Sequence, residues 1–253
     1  MWLCHGGDGS VAPVLFSRPL STVMPFLGLF FDIDGTLLGL RPAPEVFYRQ
    51  VCQEFELDCV GLPGARAVAV RFVEAHGLEY LADEPAMWRA ANREVFLYLG
   101  AGDQAAACAS RFQALFYAGT EQYLYPDVRP ALAGLRARGY LLGAITGRLH
   151  SGERVLVDLG ARPYLAFYLY AGELGVQKPD PRLYREALAR AGLPAAAVLL
   201  VGDRPDDVVG ARSVGLTPVL VARGRQAAGG EVWQVSDLRE LLGALPPVPL
   251  RGL

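Results

Sequence analysis

The expected fold is decided by the stretch LGLFFDIDGT at positions 27–36. Its first seven residues form a short, continuous apolar run, which is typical of a strand buried on both faces. Residues two apart in an extended chain point the same way, so Asp32 and Asp34 converge on one side of the strand end. Gly35 then permits a sharp exit from the strand. The stretch therefore predicts a buried strand that ends in a pair of carboxylates.

The remainder of the chain indicates an α/β fold with a helical insertion. From position 126 onward, helical patterns at 128–138, 151–159, 181–191 and 206–214 alternate with apolar strands at 140–145, 166–171, 198–201 and 217–221. This alternation is typical of a parallel sheet with helices on both faces. Helical patterns also fill positions 43–119, between the first strand and this region. We expect that segment to be a separate all-helical cap inserted into the sheet domain.

These patterns also suggest domain boundaries. Positions 24–42 and 120–244 are expected to form the α/β core, and positions 43–119 the cap. Positions 1–23 are rich in Gly, Ser and Pro and precede Met24, so we interpret them as a disordered or mis-started extension. Positions 245–253 (LPPVPLRGL) form a Pro-rich tail that cannot continue a helix.

Composition excludes several classes of protein. The chain has 253 residues, 52% of them hydrophobic, so global disorder is excluded. A net charge of −2 offers no basic field for nucleic acid or an anionic membrane. No apolar run reaches the roughly 18 residues of a membrane span. The four cysteines form no C-x-x-C pair, which argues against a zinc site. We expect a cytoplasmic protein that is a monomer or a homodimer.

Two more strand ends carry polar residues where a parallel sheet binds its ligands, beyond the carboxyl ends of the strands. Thr146 and Gly147 follow one strand and offer a hydroxyl and an unobstructed backbone N–H for a phosphate oxygen. In the motif GDRPDD, Asp203 and Asp207 follow another strand and open the next helix. An acidic pair in that place could also simply cap the helix.

Lys178 stands out because it is the only lysine beside 23 arginines. It lies in QKPDP, where the prolines fix a loop before a helix. If Asp32, Asp34, Asp203 and Asp207 meet at one sheet edge, two of them about 4 Å apart repel by roughly 4 kcal/mol at an effective dielectric of 20. Such a cluster needs a cation. Carboxylate oxygens suit Mg²⁺, and Lys178 would supply further positive charge.

In this order, the motifs DIDGT, Thr146, Lys178 and GDRPDD resemble those of the haloacid dehalogenase (HAD) superfamily, over roughly residues 26–222. The insertion looks like the helical cap that the family places after its first motif. The stretch GELGVQKPDPRLY at 172–184 is similar to the phosphatase-like branch. One departure is Gly147, where many relatives carry Asn. The resemblance implies a Rossmann-like parallel core and a phosphomonoesterase that acts on a small phosphorylated metabolite.

The resemblance also implies roles for individual residues. Asp32 would attack phosphorus and form an aspartyl-phosphate. Asp34 would protonate the leaving alkoxide and then activate the hydrolytic water. Thr146, Gly147 and Lys178 would hold the phosphoryl group.

The implied magnesium ligands are the Asp32 carboxylate, the Asp34 backbone carbonyl and Asp203. Asp207 would orient waters or Lys178 from outside this ligand set.

Two other activities are considered. A dehalogenase of the same superfamily needs neither an acid at Asp34 nor Mg²⁺, because halide leaves without a proton. A non-catalytic phospho-acceptor module also uses Asp, Thr and Lys on a parallel sheet, but it has no helical insertion of this size and no D-x-D pair.

The cap is expected to contact the leaving group. Candidates to face the site are Arg41, Arg66, Trp88, Arg89, Asn92 and Arg93. A stripe at Trp88, Asn92, Val95 and Leu99 is more typical of cap core. Arg89 and Arg93 lie four apart on one helix face and could bind an anionic sugar or a carboxylate. Sugar phosphates, phosphoglycolate and nucleoside monophosphates are all open as substrates.

Overall fold

The computed structural model of the protein describes residues 26–58, 60–223 and 232–249. Its strands are β1 (Gly28–Phe31), β2 (Leu38–Arg41), β3 (Glu121–Leu124), β4 (Leu141–Thr146), β5 (Phe167–Tyr170), β6 (Val198–Gly202), β7 (Thr217–Val221) and β8 (Trp233–Val235). Its helices are α1 (Pro44–Glu54), α2 (Leu62–His76), α3 (Glu84–Tyr98), α4 (Ala105–Gly119), α5 (Val128–Ala137), α6 (Glu153–Asp158), α7 (Pro181–Ala191), α8 (Pro205–Ser213) and α9 (Glu240–Ala244).

Six strands form one parallel sheet in the order β5-β4-β1-β6-β7-β8. β1 lies inside this sheet with both faces covered, as its apolar run predicts. Leu29 and Phe31 point into the cluster that α5 and α6 cover, whereas Phe30 points into the cluster that α7 and α8 cover. The predicted α/β class with a parallel core is therefore confirmed.

Helices α1 to α4 form an apolar cluster of their own. Tyr48 and Phe112 stack at its centre with ring centroids 4.1 Å apart. A two-stranded antiparallel ribbon of β2 and β3 joins these helices to the sheet. Arg41 and Glu121 pair across it through two hydrogen bonds of 2.8 Å. A core at 24–42 and 120–244 with a cap at 43–119 stays our proposal, and the separate cluster supports it.

Two sequence predictions fall at the chain ends. The N-terminal extension at 1–23 lies outside the described residues, and so does the end of the tail at 250–253. The described part of the tail packs on the core, because the backbone N–H of Val248 donates to the Arg138 carbonyl at 2.8 Å. Within the described ranges, none of the helices combines the length and hydropathy needed to cross a membrane.

Candidate active site

The predicted site residues gather where β4, β1 and β6 end side by side. Phe31, the last residue of β1, lies in register with Ala144 of β4 and Val201 of β6. Asp32, Thr146 and Asp203 follow at or just beyond those strand ends. The parallel register thus brings together side chains that are between 57 and 171 residues apart in sequence.

Gly35 makes the turn after β1 possible. Its φ is +87°, in the left-handed region that favours glycine. A Cβ added at this position would lie 2.2 Å from Asp203 Oδ2. The glycine is therefore needed both for the turn and for the close approach of Asp203.

Lys178 lies between two buried carboxylates. Its Nζ donates to Asp32 Oδ1 at 2.6 Å and to Asp207 Oδ1 at 2.7 Å. Burial alone would lower the pKa of Lys178, but the charges of Asp207 and Asp32 raise it above its ordinary value. The lysine therefore stays a cation in this site.

Burial raises the pKa of Asp32 to about 8, since Lys178 only partly offsets the burial and the charges of Asp207 and Asp203. A further cation beside Asp32 would favour its ionised form.

Three carboxylates form a set that suits a metal ion. One oxygen each from Asp32, Asp203 and Asp207 lies within 4.8 Å of the others. Hard divalent cations such as Mg²⁺ take oxygen ligands of this kind. Asp207 Oδ2 also accepts from the Arg204 backbone N–H at 3.2 Å, at the start of α8. Both Asp207 oxygens thus have a protein partner.

Thr146 and Gly147 lie at the end of β4. Thr146 is buried, and its Oγ1 accepts from the Arg148 backbone N–H at 3.2 Å. A Cβ on residue 147 would make only ordinary contact with Lys178 Cδ, at 3.6 Å. Packing therefore does not demand glycine at position 147.

Asp34 has a partner that the sequence did not reveal. Arg148 Nε donates to Asp34 Oδ2 at 2.7 Å, and Arg148 Nη2 donates to Asp34 Oδ1 at 2.6 Å. The four carboxylates expected at one place are thus divided into a cluster of three and a separate Asp34–Arg148 ion pair. The one feature of the sequence that could have indicated this ion pair is the position of Arg148, two residues after Thr146.

The cap candidates lie in varied settings. Asn92 is buried, accepts from the Tyr48 hydroxyl and donates to the Trp88 carbonyl at 2.7 Å, so it belongs to the cap interior. Val95 and Leu99 are buried beside it, as the stripe predicts. Trp88 of the same stripe is 37% exposed, so the prediction that it belongs to the cap core is wrong. The others differ: Arg41 pairs with Glu121, Arg93 pairs with Glu94, Arg89 is exposed, and the side chain of Arg66 lies outside the described part of the structure.

Other residues make the contacts between cap and core. His150 Nε2 lies 3.1 Å from the Tyr80 carbonyl, and Gln177 Nε2 donates to the Val73 carbonyl at 2.8 Å. Glu84 Oε2, at the start of α3, lies 3.9 Å from His150 Nδ1. The first turn of α3 therefore approaches the loop that follows Thr146.

Known proteins of similar sequence and structure were found by three comparisons. Residues 27–215 match the family model for haloacid dehalogenase-like hydrolases. A phosphoserine phosphatase of Thermus thermophilus is 31% identical over 238 residues, which cover 90% of this chain and 93% of the relative. A phosphoglycolate phosphatase of Yersinia pseudotuberculosis is 29% identical over 74% of this chain and 77% of its own length. A crystal structure of a 2-haloacid dehalogenase from Pseudomonas syringae pv. Tomato DC3000 superposes with a TM-score of 0.55 at 28% identity, covering 87% of this chain and 99% of that one.

Proposed function

The chain belongs to the haloacid dehalogenase-like hydrolase family, and from that premise we propose that it is a magnesium-dependent phosphomonoesterase. Its substrate would be a small phosphorylated metabolite, and its expected location is the cytoplasm. The observation that carries the proposal is the Lys178 ammonium held between Asp32 and Asp207, beside Asp203. With a divalent cation bound beside Lys178, this buried group of charges would suit an anionic phosphoryl group better than a neutral substrate.

In the proposed reaction, Asp32 is the nucleophile. A carboxylate oxygen of Asp32 bonds to phosphorus while the bond from phosphorus to the ester oxygen breaks. The departing alkoxide takes a proton from Asp34. Asp34 then accepts a proton from water as that water attacks phosphorus, and the bond from Asp32 to phosphorus breaks. Inorganic phosphate and the free alcohol are the products.

Thr146 and Lys178 hold the transferring group in this proposal. Lys178 lies 2.6 Å from Asp32, so a phosphoryl group on Asp32 would contact the same ammonium. The Thr146 hydroxyl ends the neighbouring strand and offers a second donor. Positioning of this kind supplies much of the rate gain in phosphoryl transfer.

Asp32 and Asp203 would hold Mg²⁺, together with the backbone carbonyl of Asp34. When bound, the ion neutralises charge on the phosphoryl oxygens and on the Asp32 carboxylate. Asp207 fixes Lys178 through the hydrogen bond of 2.7 Å. We therefore assign Asp207 to orienting Lys178 and not to the metal.

A dehalogenase is the second candidate, because a 2-haloacid dehalogenase is 28% identical over most of this chain. That reaction breaks a carbon–halogen bond, and the halide leaves without a proton. The carboxylates of Asp34 and Asp203 would then have no role. The acidic cluster therefore favours the phosphatase.

The test measures phosphate release from p-nitrophenyl phosphate and from a panel of metabolite phosphates, and halide release from 2-chloropropionate. We expect phosphate release that EDTA abolishes and Mg²⁺ restores. The Asp32→Asn protein should fold, with an unchanged circular dichroism spectrum, and lose at least about 99% of the activity. Halide release, or full phosphatase activity in EDTA, would contradict the proposal. A phosphoenzyme that is stable for minutes without turnover would instead indicate a phospho-acceptor module.

A further inference from the structure

Arg148 forms an ion pair with Asp34 at the mouth of the site. The guanidinium donates through Nε and Nη2 to both carboxylate oxygens, at 2.7 and 2.6 Å. The Asp34 side chain is 51% exposed and that of Arg148 is 21% exposed, so a ligand can reach the pair from solvent. Both carboxylate oxygens of the proposed general acid and base are therefore engaged by one arginine.

The loop that carries Arg148 is well fixed. The Arg148 backbone N–H donates to Thr146 Oγ1 at 3.2 Å, and its carbonyl accepts from the Gly172 N–H at 3.1 Å. The guanidinium lies against the backbone of Gly152, where an added Cβ would be only 2.0 Å from Nη1. Asp34 thus faces a guanidinium whose place is set by the strand end that carries Thr146.

This arrangement conflicts with the role proposed for Asp34. To exchange a proton with the leaving oxygen, a carboxylate oxygen must turn from the guanidinium toward that oxygen. If the Asp34 carboxylate turned away and nothing took its place, the largely enclosed guanidinium would lose its ion-pair partner, which costs free energy. A second carboxylate presented to Arg148 would remove that cost, because a guanidinium matches any carboxylate in the same two-bonded geometry.

We propose that Arg148 is a specificity-determining residue that binds a carboxylate on the leaving group of the substrate. The substrate carboxylate replaces Asp34 on the guanidinium and thereby releases Asp34 to the ester oxygen. This inference rests on the proposed phosphatase function, because that function places the leaving group beside Asp34. The arginine lies within 2.7 Å of Asp34, so the carboxylate must be only a few bonds from the ester oxygen.

The surroundings of Arg148 keep its guanidinium charged. Glu84 of the cap lies 3.9 Å from His150 Nδ1, and its charge also acts on Arg148. Burial alone would lower the pKa of Arg148, but Asp34 and Glu84 raise it, so the guanidinium stays charged. A neutral leaving group has no carboxylate that could replace Asp34 on Arg148, so its phosphate ester is expected to be hydrolysed slowly.

The experiment compares substrates that differ only in the carboxylate. One pair is 2-phosphoglycolate and 2-hydroxyethyl phosphate, and the other is O-phosphoserine and O-phosphoethanolamine. In the wild-type enzyme with Mg²⁺, kcat/KM should favour the carboxylate-bearing member of at least one pair by about 10- to 100-fold, the range expected for charged hydrogen bonds. Arg148→Gln should reduce this ratio to within about threefold of unity, with a rise in KM for the carboxylate-bearing member.

Two further variants make the result decisive. Arg148→Lys keeps the charge without the planar fork and should lose most of the preference, so it serves as the test if Arg148→Gln does not fold. Arg154→Gln changes an exposed arginine nearby, paired with Asp158, and should keep the wild-type ratio.

If Arg148 had only a structural role, Arg148→Gln would lower kcat/KM equally for both substrates of a pair. An unchanged ratio of the two kcat/KM values in Arg148→Gln would therefore overturn the inference. If the wild-type enzyme hydrolyses these compounds with no preference for the carboxylate, the inference also fails while the phosphatase function stands. If the wild type releases no phosphate from any substrate, the phosphatase function itself fails.

Discussion

Replacement of Lys178 by methionine separates the charge of this residue from its shape. Methionine is similar in length and apolar, so it removes the ammonium that Asp32 and Asp207 share at 2.6 and 2.7 Å. Both carboxylates are nearly inaccessible to solvent, with side chains 9% and 3% exposed. The variant therefore leaves buried negative charge without its protein cation.

The expected cost follows from the geometry. Two ionised carboxylates whose oxygens lie no more than 4.8 Å apart, as in this cluster, repel by at least about 3.5 kcal/mol at an effective dielectric of 20. Removing one partner of a buried ion pair costs about 3–5 kcal/mol. Above pH 8, where Asp32 is ionised in the wild type, proton uptake by Asp32 in the variant would relieve part of this cost. We expect a net loss of about 3 kcal/mol without metal, which lowers the Tm of a chain of this length by about 6–12 °C.

Thermal unfolding in EDTA and in Mg²⁺ measures this effect. Mg²⁺ should raise the Tm of Lys178→Met by more than it raises the Tm of wild type, because the carboxylates have lost their other cation. Arg182→Met serves as the control, since it removes an exposed partner of Asp180 and should cost no more than about 1 kcal/mol. An unchanged Tm for Lys178→Met in EDTA would refute the view that Lys178 neutralises the cluster.

Lys178→Arg completes the comparison. It keeps the charge, so the Tm should stay within about 3 °C of wild type. The planar guanidinium cannot occupy the position of a compact ammonium between Asp32 and Asp207. A displacement of about 1 Å costs on the order of a hundredfold in rate, so kcat/KM should fall at least that much. Activity within threefold of wild type would show that Lys178 does not contact the phosphoryl group.

Two further predictions concern the metal site. The folded-state pKa of Asp32 is raised from 3.8 to about 8, so the folded protein holds a proton that the unfolded chain releases. Without metal, wild type should therefore lose stability relative to Asp32→Asn as pH rises from about 4 to about 8. Mg²⁺ should raise the Tm of wild type more at pH 8.5 than at pH 5.5. Parallel plots of Tm against pH for the two proteins would contradict the raised pKa of Asp32. Gly35→Ala should weaken Mg²⁺ binding in calorimetric titration, because the new Cβ would lie 2.2 Å from Asp203 Oδ2. Gly192→Ala imposes a similar positive φ of 63° with nothing within 4 Å, so an equal loss of Mg²⁺ affinity there would disprove the steric reason.

The sheet could be predicted because its strands are short apolar runs separated by helical patterns. The predicted bounds of α7 at 181–191 and of β7 at 217–221 are those of the structure. The ribbon of β2 and β3 was missed, since the sequences LGLR and EQYL carry no apolar run. Each strand pairs with a partner 80 to 86 residues away in sequence, and local sequence patterns contain no information about so distant a partner.

The site was predictable where backbone geometry alone decides it. Parallel strands end at one edge, so Asp32, Thr146 and Asp203 had to converge. Arg148 and Asp34 are 114 residues apart in sequence. Their pairing depends on the path of the loop after β4, and no hydrophobic periodicity predicts that path. Helical spacing likewise placed Arg89 and Arg93 on one face without showing what that face contacts.

The charges of the site are organised in two layers with different functions. The inner layer sets three carboxylates against the single ammonium of Lys178, so with Asp32 ionised it lacks two positive charges, which a divalent cation would supply. The outer layer is the Asp34–Arg148 pair, which is balanced by itself. Without a cation held by these residues, a phosphoryl dianion in the inner layer would meet unbalanced carboxylates. An anionic leaving group that enters the outer layer meets a balanced pair, and it is accommodated only by exchanging with Asp34. Under the proposed function, the inner layer would accept any phosphomonoester once the cation is bound, whereas discrimination between leaving groups would depend on Arg148.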